Sequence, residues 1–138
     1  MIFVPIGLPG SGKSTLGRSL KNTINSVYVD CDELYYKGFK LEDLVTYIKN
    51  LRGRNIYLDG LFITENVQRK LFEELDCLFI WFNDSKAHRQ QYAKNDLLRN
   101  RKLNSTNIIL KAKVNKPTFG TIFTVEETNN ENFGKYVR

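Results

Sequence analysis

The chain has 138 residues, 41% of them hydrophobic and 26% charged, and a formal net charge of +6. That size and balance suit one globular domain, residues 1–138, able to bury about two-thirds of its unfolded surface. No apolar run approaches the ~20 residues of a membrane span, and "MIFVPIGLPG" has neither a basic leader nor a cleavage site, so the expected compartment is cytoplasmic. Cys31 and Cys77 lie far apart and are expected to be buried free thiols rather than a disulfide.

"IFVPI" (2–6) reads as a first strand leading into a glycine-rich run, although Pro5 cannot donate to a central ladder. A helix is expected from Ser14, with Leu16, Leu20 and Ile24 on one face. "SVYVD" (26–30) is a second strand ending in acids. "LEDLVTYIKNL" (41–51) has helical spacing. "NIYLDG" (55–60) is a third strand, apolar and then abruptly acidic. "TENVQRKLFEEL" (64–75) reads as a helix capped by Thr64, with Val67, Leu71 and Leu75 inward. "CLFIWF" (77–82) suits a strand buried on both faces. Two helical stretches follow, 84–102 and 105–114, then a last strand at 121–127 and a polar tail. Strands alternating with helices imply a parallel five-stranded sheet in a three-layer α/β sandwich.

"GLPGSGKST" (7–15) completes the G-x-x-x-x-G-K-[ST] pattern between a strand and a helix. The glycines let backbone N–H groups point inward at phosphate oxygens, and the helix N-terminus adds partial positive charge. Gly7, Pro9, Gly10, Ser11, Gly12, Lys13, Ser14 and Thr15 are the expected nucleotide-binding residues. Lys13 reaches the β- and γ-phosphates, and the Ser14 hydroxyl ligates Mg²⁺. The sequence lacks the Asn-Lys-x-Asp guanine signature. ATP and Mg²⁺ are the expected cofactors.

Two acidic stations follow. In "VDCDE" (29–33), Asp30 and Asp32 alternate and leave opposite sides of an extended strand. One of them faces an acceptor hydroxyl, and Asp32 is the candidate general base; a helix cap is the competing role. Asp59 fits a strand-end carboxylate that holds Mg²⁺, with a simple Asp-Gly turn as the competing role.

Residues 84–116 hold nine Lys or Arg and two acids, while the rest of the chain holds 12 basic and 13 acidic residues. This segment reads as a helical lid over ATP, with Arg101 favoured and Arg99 as the alternate contact to the transferred phosphoryl group, and a solvated helix face with surface arginines as the competing role. The same charge suits a nucleic acid. His88, the one histidine, is assigned a packing or solvated role.

These residues resemble the small P-loop kinases related to the 5′-hydroxyl polynucleotide kinase domain. The resemblance rests on "GLPGSGKSTL", "VDCDE", "LDGLFITENVQRKL" with Arg69 and Leu71, and "RNRKLNSTNIILKAKVNKP". It implies a Mg-ATP phosphotransferase with Asp32 as base and Arg101 or Arg99 in the lid. The sequence departs where that family places acceptor-gripping arginines, which here are Cys31 and Tyr35, and where it places Thr-Asn, here Leu61-Phe62. Tyr35, Tyr36 and Phe62, with Asp30, are the candidate acceptor contacts, with packing as the competing role, above all for Phe62. The expected acceptor is a hydroxyl of a nucleic acid or nucleoside. A small-molecule kinase and a nucleotide-binding module or ATPase without acceptor are the alternatives.

Overall fold

A computed structural model describes residues 1–51, 53–62, 64–99 and 106–125, with Arg99 described by its backbone. Its elements are β1 (Ile2–Ile6), α1 (Lys13–Thr23), β2 (Ser26–Asp30), α2 (Cys31–Tyr36), α3 (Leu41–Lys49), β3 (Asn55–Asp59), α4 (Glu65–Leu75), β4 (Cys77–Phe82), α5 (Lys86–Arg99), α6 (Thr106–Lys111) and β5 (Ile122–Val125). The five strands form one sheet in the order β2-β3-β1-β4-β5, and each pairing is parallel.

The alternation of side chains on the strands builds two cores. Val4, Ile6, Cys77, Phe79 and Trp81 face one side of the sheet, where α3 and α4 add Leu44, Val45, Ile48, Leu71 and Leu75. Phe3, Leu78, Ile80 and Phe82 face the other, under Leu16 and Leu20 of α1. All six residues of β4 are buried, as a strand covered by helices on both faces requires. This is the expected three-layer α/β sandwich. A third cluster, Leu8, Tyr92, Ala93 and Ile109, packs α5 and α6 onto the loop after β1.

Pro5 sits in the central strand after all. β1 pairs with β3 at Ile2 and Phe3 but with β4 through Ile6, so Pro5 lies beyond the β3 register and its missing donor is tolerated. Cys31 and Cys77 are buried and free. Thr64 stands at the N-cap of α4 but makes no side-chain cap bond. Among the described residues, no helix is long and apolar enough to cross a membrane.

The main departure is α2. Asp30 and Asp32 do not alternate on an extended strand. Asp30 ends β2 and caps α2, its carboxylate accepting from the Glu33 N–H at 3.2 Å, and Asp32 lies in the first helical turn. His88 has the assigned packing role: Ser85 Oγ lies 2.6 Å from its Nδ1, and its ring tilts against Tyr92.

Candidate active site

The strand order reverses direction at β1, and the crevice at the C-terminal strand ends is where such sheets bind ligands. Here the crevice is a cleft of about 640 Å³, lined by Pro9, Gly10, Gly12, Lys13, Ser14, Thr15, Arg18, Tyr28, Asp30, Asp32, Asp59, Leu61, Asp96 and Ile108. The fold thus brings both acidic stations to the phosphate loop. Arg18, Tyr28, Leu61, Asp96 and Ile108 were not read from the sequence.

The loop takes its shape from glycine. Gly10 and Gly12 hold φ of 81° and 100°. A Cβ on Gly10 would stand 2.2 Å from the Tyr92 carbonyl oxygen, so α5 packs against the loop at a position where only glycine fits. Asn95 of α5 donates to the Gly10 carbonyl at 3.1 Å. Ser11 Oγ is buried with no hydrogen-bond partner among the described residues, an orphan that a phosphate oxygen would satisfy.

Lys13 Nζ donates to the Gly60 carbonyl at 3.2 Å. Burial pushes its pKa below 10.5, while the nearby Asp59 and Asp32 pull it back. Ser14 Oγ donates to Asp59 Oδ2 at 2.9 Å, and the Tyr28 hydroxyl donates to the same oxygen. Burial, then the bond to Asp59, hold the Tyr28 phenol well above its usual range. The hydroxyl of Ser14 and the carboxylate of Asp59 are hard oxygen donors of the kind Mg²⁺ takes. Among the described residues, no group of three His, Cys, Asp or Glu forms a cage of its own. Mg²⁺ bound chiefly through substrate phosphates needs only one or two protein ligands, so the residues fit it.

Asp32 is exposed and lines the same cleft. Partial burial raises its pKa, Lys13 lowers it, and Asp30 and Asp59 raise it further. A lysine that keeps an acid ionised beside phosphate-binding amides lets that acid take a proton.

The aromatic contacts separate. Phe62 is 1% exposed and its ring lies over Gly60 in the core beside Cys31, so it is a packing residue and not an acceptor contact. Tyr36 is 86% exposed and does not line the cleft. Tyr35 stands half out of α2, its phenol pushed up to about 12 by burial and by Cys31 and Asp32. Leu61, not Phe62, reaches the cleft.

The basic segment also divides. Arg89 bonds the carbonyls of Asp84, Ile109 and Ala112 and pairs with the Asp84 carboxylate at 3.2 Å, tying α5 to the end of α6. Lys86, Lys94, Lys111 and Lys113 are exposed. Arg101 lies outside the described residues, as does the side chain of Arg99. Arg69 pairs with Glu65 and stacks over Phe119, away from the cleft.

No family model matches the chain. A 33-residue stretch is 58% identical to a shikimate kinase from Corynebacterium glutamicum, covering 24% of this chain and 20% of that protein. The chain therefore matches about a fifth of that relative's length. The fold is similar to a gluconokinase from Sinorhizobium meliloti (TM-score 0.65, 15% identity, 89% of this chain and 80% of that one). It is also similar to a shikimate kinase from Aquifex aeolicus (TM-score 0.56, 17% identity, 99% and 93%). The fold is that of P-loop kinases.

Proposed function

We propose that this protein is an ATP-dependent kinase that moves the γ-phosphoryl group to a hydroxyl of a small molecule. The observation that carries the reading is the placement of Asp32 and Lys13 in one cleft, close enough for each to shift the other's pKa. The likeness to a gluconokinase and to shikimate kinases supports it.

The backbone of residues 7–15 binds the phosphates of ATP. Lys13 leaves the Gly60 carbonyl to meet the β- and γ-phosphates, and Ser14 with Asp59 would hold Mg²⁺. When bound, that ion offsets phosphate charge. Asp32 accepts the acceptor's hydroxyl proton as the oxygen bonds to the γ-phosphorus. The bond to the bridging oxygen breaks, and ADP leaves with its electron pair. Arg101 or Arg99 remains the proposed lid contact.

A small acceptor is favoured over a 5′-end of nucleic acid by the wall itself. It presents Asp30, Asp32, Leu61 and Ile108, and Cys31 is buried behind it. A phosphate-bearing acceptor meets carboxylates there. The second reading, a nucleic-acid hydroxyl, rests on the exposed lysines of α5 and α6. It requires oligonucleotide affinity that falls steeply with salt.

The test is transfer of label from [γ-³²P]ATP with Mg²⁺ to polyols, sugar acids, cyclitols, nucleosides and a 5′-hydroxyl oligonucleotide. Label on a small alcohol supports the main reading. Label on the oligonucleotide alone moves the protein to the second, and label only as free phosphate removes both.

A further inference from the structure

We infer that Tyr28 is a positioning residue for the metal side of the phosphate site, its hydroxyl holding the Asp59 carboxylate in place. The inference rests on the kinase reading and adds a residue to it. Asp59 ends β3 and is 9% exposed, and a carboxylate so buried needs donors. Among the described residues two donors meet it, Ser14 and Tyr28, and both reach the same oxygen, Oδ2. They differ in kind. Ser14 belongs to the phosphate loop and is itself a proposed ligand. Tyr28 belongs to β2, outside the loop, and reaches Asp59 from the neighbouring strand.

The phenol is held from behind. Tyr28 and Tyr57 pair in the β2–β3 register, and their rings stack with centroids 6.0 Å apart at 14°. The Tyr57 hydroxyl donates to the Lys13 carbonyl at 2.7 Å. One rung of the sheet thus bonds the loop with one hydroxyl and the acid with the other. Gly17 makes room for both rings, since a Cβ there would stand 2.5 Å from Tyr57 and 2.7 Å from Tyr28. Phenylalanines would fill the same space, so packing alone does not call for the hydroxyls. An outer hydrogen bond that orients a metal-holding carboxylate is worth on the order of 10-fold or more in metal affinity.

Calorimetric titration of ADP into the wild type, Tyr28→Phe and Tyr57→Phe, each in Mg²⁺ and in EDTA, separates the roles. Tyr28→Phe is expected to weaken ADP binding in Mg²⁺ by about 10-fold and leave binding in EDTA unchanged. Tyr57→Phe is expected to weaken both alike, because its hydroxyl acts on the phosphate loop. Wild-type affinity for Tyr28→Phe in Mg²⁺ overturns the proposal. So does equal loss in both buffers, or a Tyr28→Phe protein too unstable to bind, since each makes the residue structural or idle. A wild type that binds ADP in neither buffer overturns the nucleotide reading beneath it, an outcome distinct from the rest.

Discussion

The two ends of the cleft are made of different material. The proposed phosphate end is one contiguous stretch, residues 7–15, with Asp59 lining the cleft beside it. The acceptor wall is assembled from three separated places: the first turn of α2, Leu61 after β3 and Ile108 on α6. Phosphate is the same in every nucleotide, so a fixed run of residue types can hold it. An acceptor has no fixed shape, and side chains on scattered elements must be arranged to suit it.

Breaking the phosphate end has the largest effect. Lys13→Ala is expected to lower transfer by about 10³-fold or more, because Lys13 is the phosphate loop's own cation. Label-transfer assays read this directly.

Gly10→Ala strikes the same end through its fold. The new Cβ meets the Tyr92 carbonyl oxygen at 2.2 Å with φ at 81°. The expected loss is about 1–3 kcal/mol of stability, measured by denaturant titration, with nucleotide binding weakened alongside.

At the acceptor end, pH sharpens the comparison. Asp32 must be ionised to accept a proton, and partial burial lifts its pKa above 3.8. The kcat/KM profile is therefore expected to climb through an acid limb placed above the ordinary aspartate range. The sign for stability is opposite. The folded chain holds this proton more firmly than the unfolded chain. Its contribution is present below the ordinary aspartate value and lost as pH rises through the raised one. Asp32→Asn is thus expected to melt no lower than the wild type at neutral pH.

The smallest effects divide the wall's neighbours. Leu61→Ala removes an apolar contact and is expected to raise the acceptor KM by about 10-fold, with the KM for ATP held. Tyr36→Ala, at a side chain 86% exposed and off the cleft, is expected to leave both KM values unchanged.

The same contrast governs what could be read in the sequence. The phosphate loop, the strands and Asp59 were legible, because a motif and a two-residue alternation are local signals. The helix α2 was not, since six residues show no helical period. A signal was present: Asp30 followed three residues later by Glu33 is a helix-start pattern, and the structure uses Asp30 as the cap. Asp32 lines the cleft from the first turn of α2 and not from an extended strand. Phe62 takes the packing role that competes with acceptor contact in the sequence, where nothing local tells which of two adjacent apolar residues turns inward. The space over Gly60 decides it, and Leu61 takes the cleft. Tyr28 was passed over as a strand residue. Its role depends on Asp59, 31 positions away.

Transfer and ATP binding measured side by side in Asp32→Asn test the division of the cleft most directly. Transfer to the accepted alcohol is expected to fall by about 10²-fold or more, with ATP affinity within about twofold of the wild type. Equal loss of both would place Asp32 at the phosphate end and contradict its role as the base.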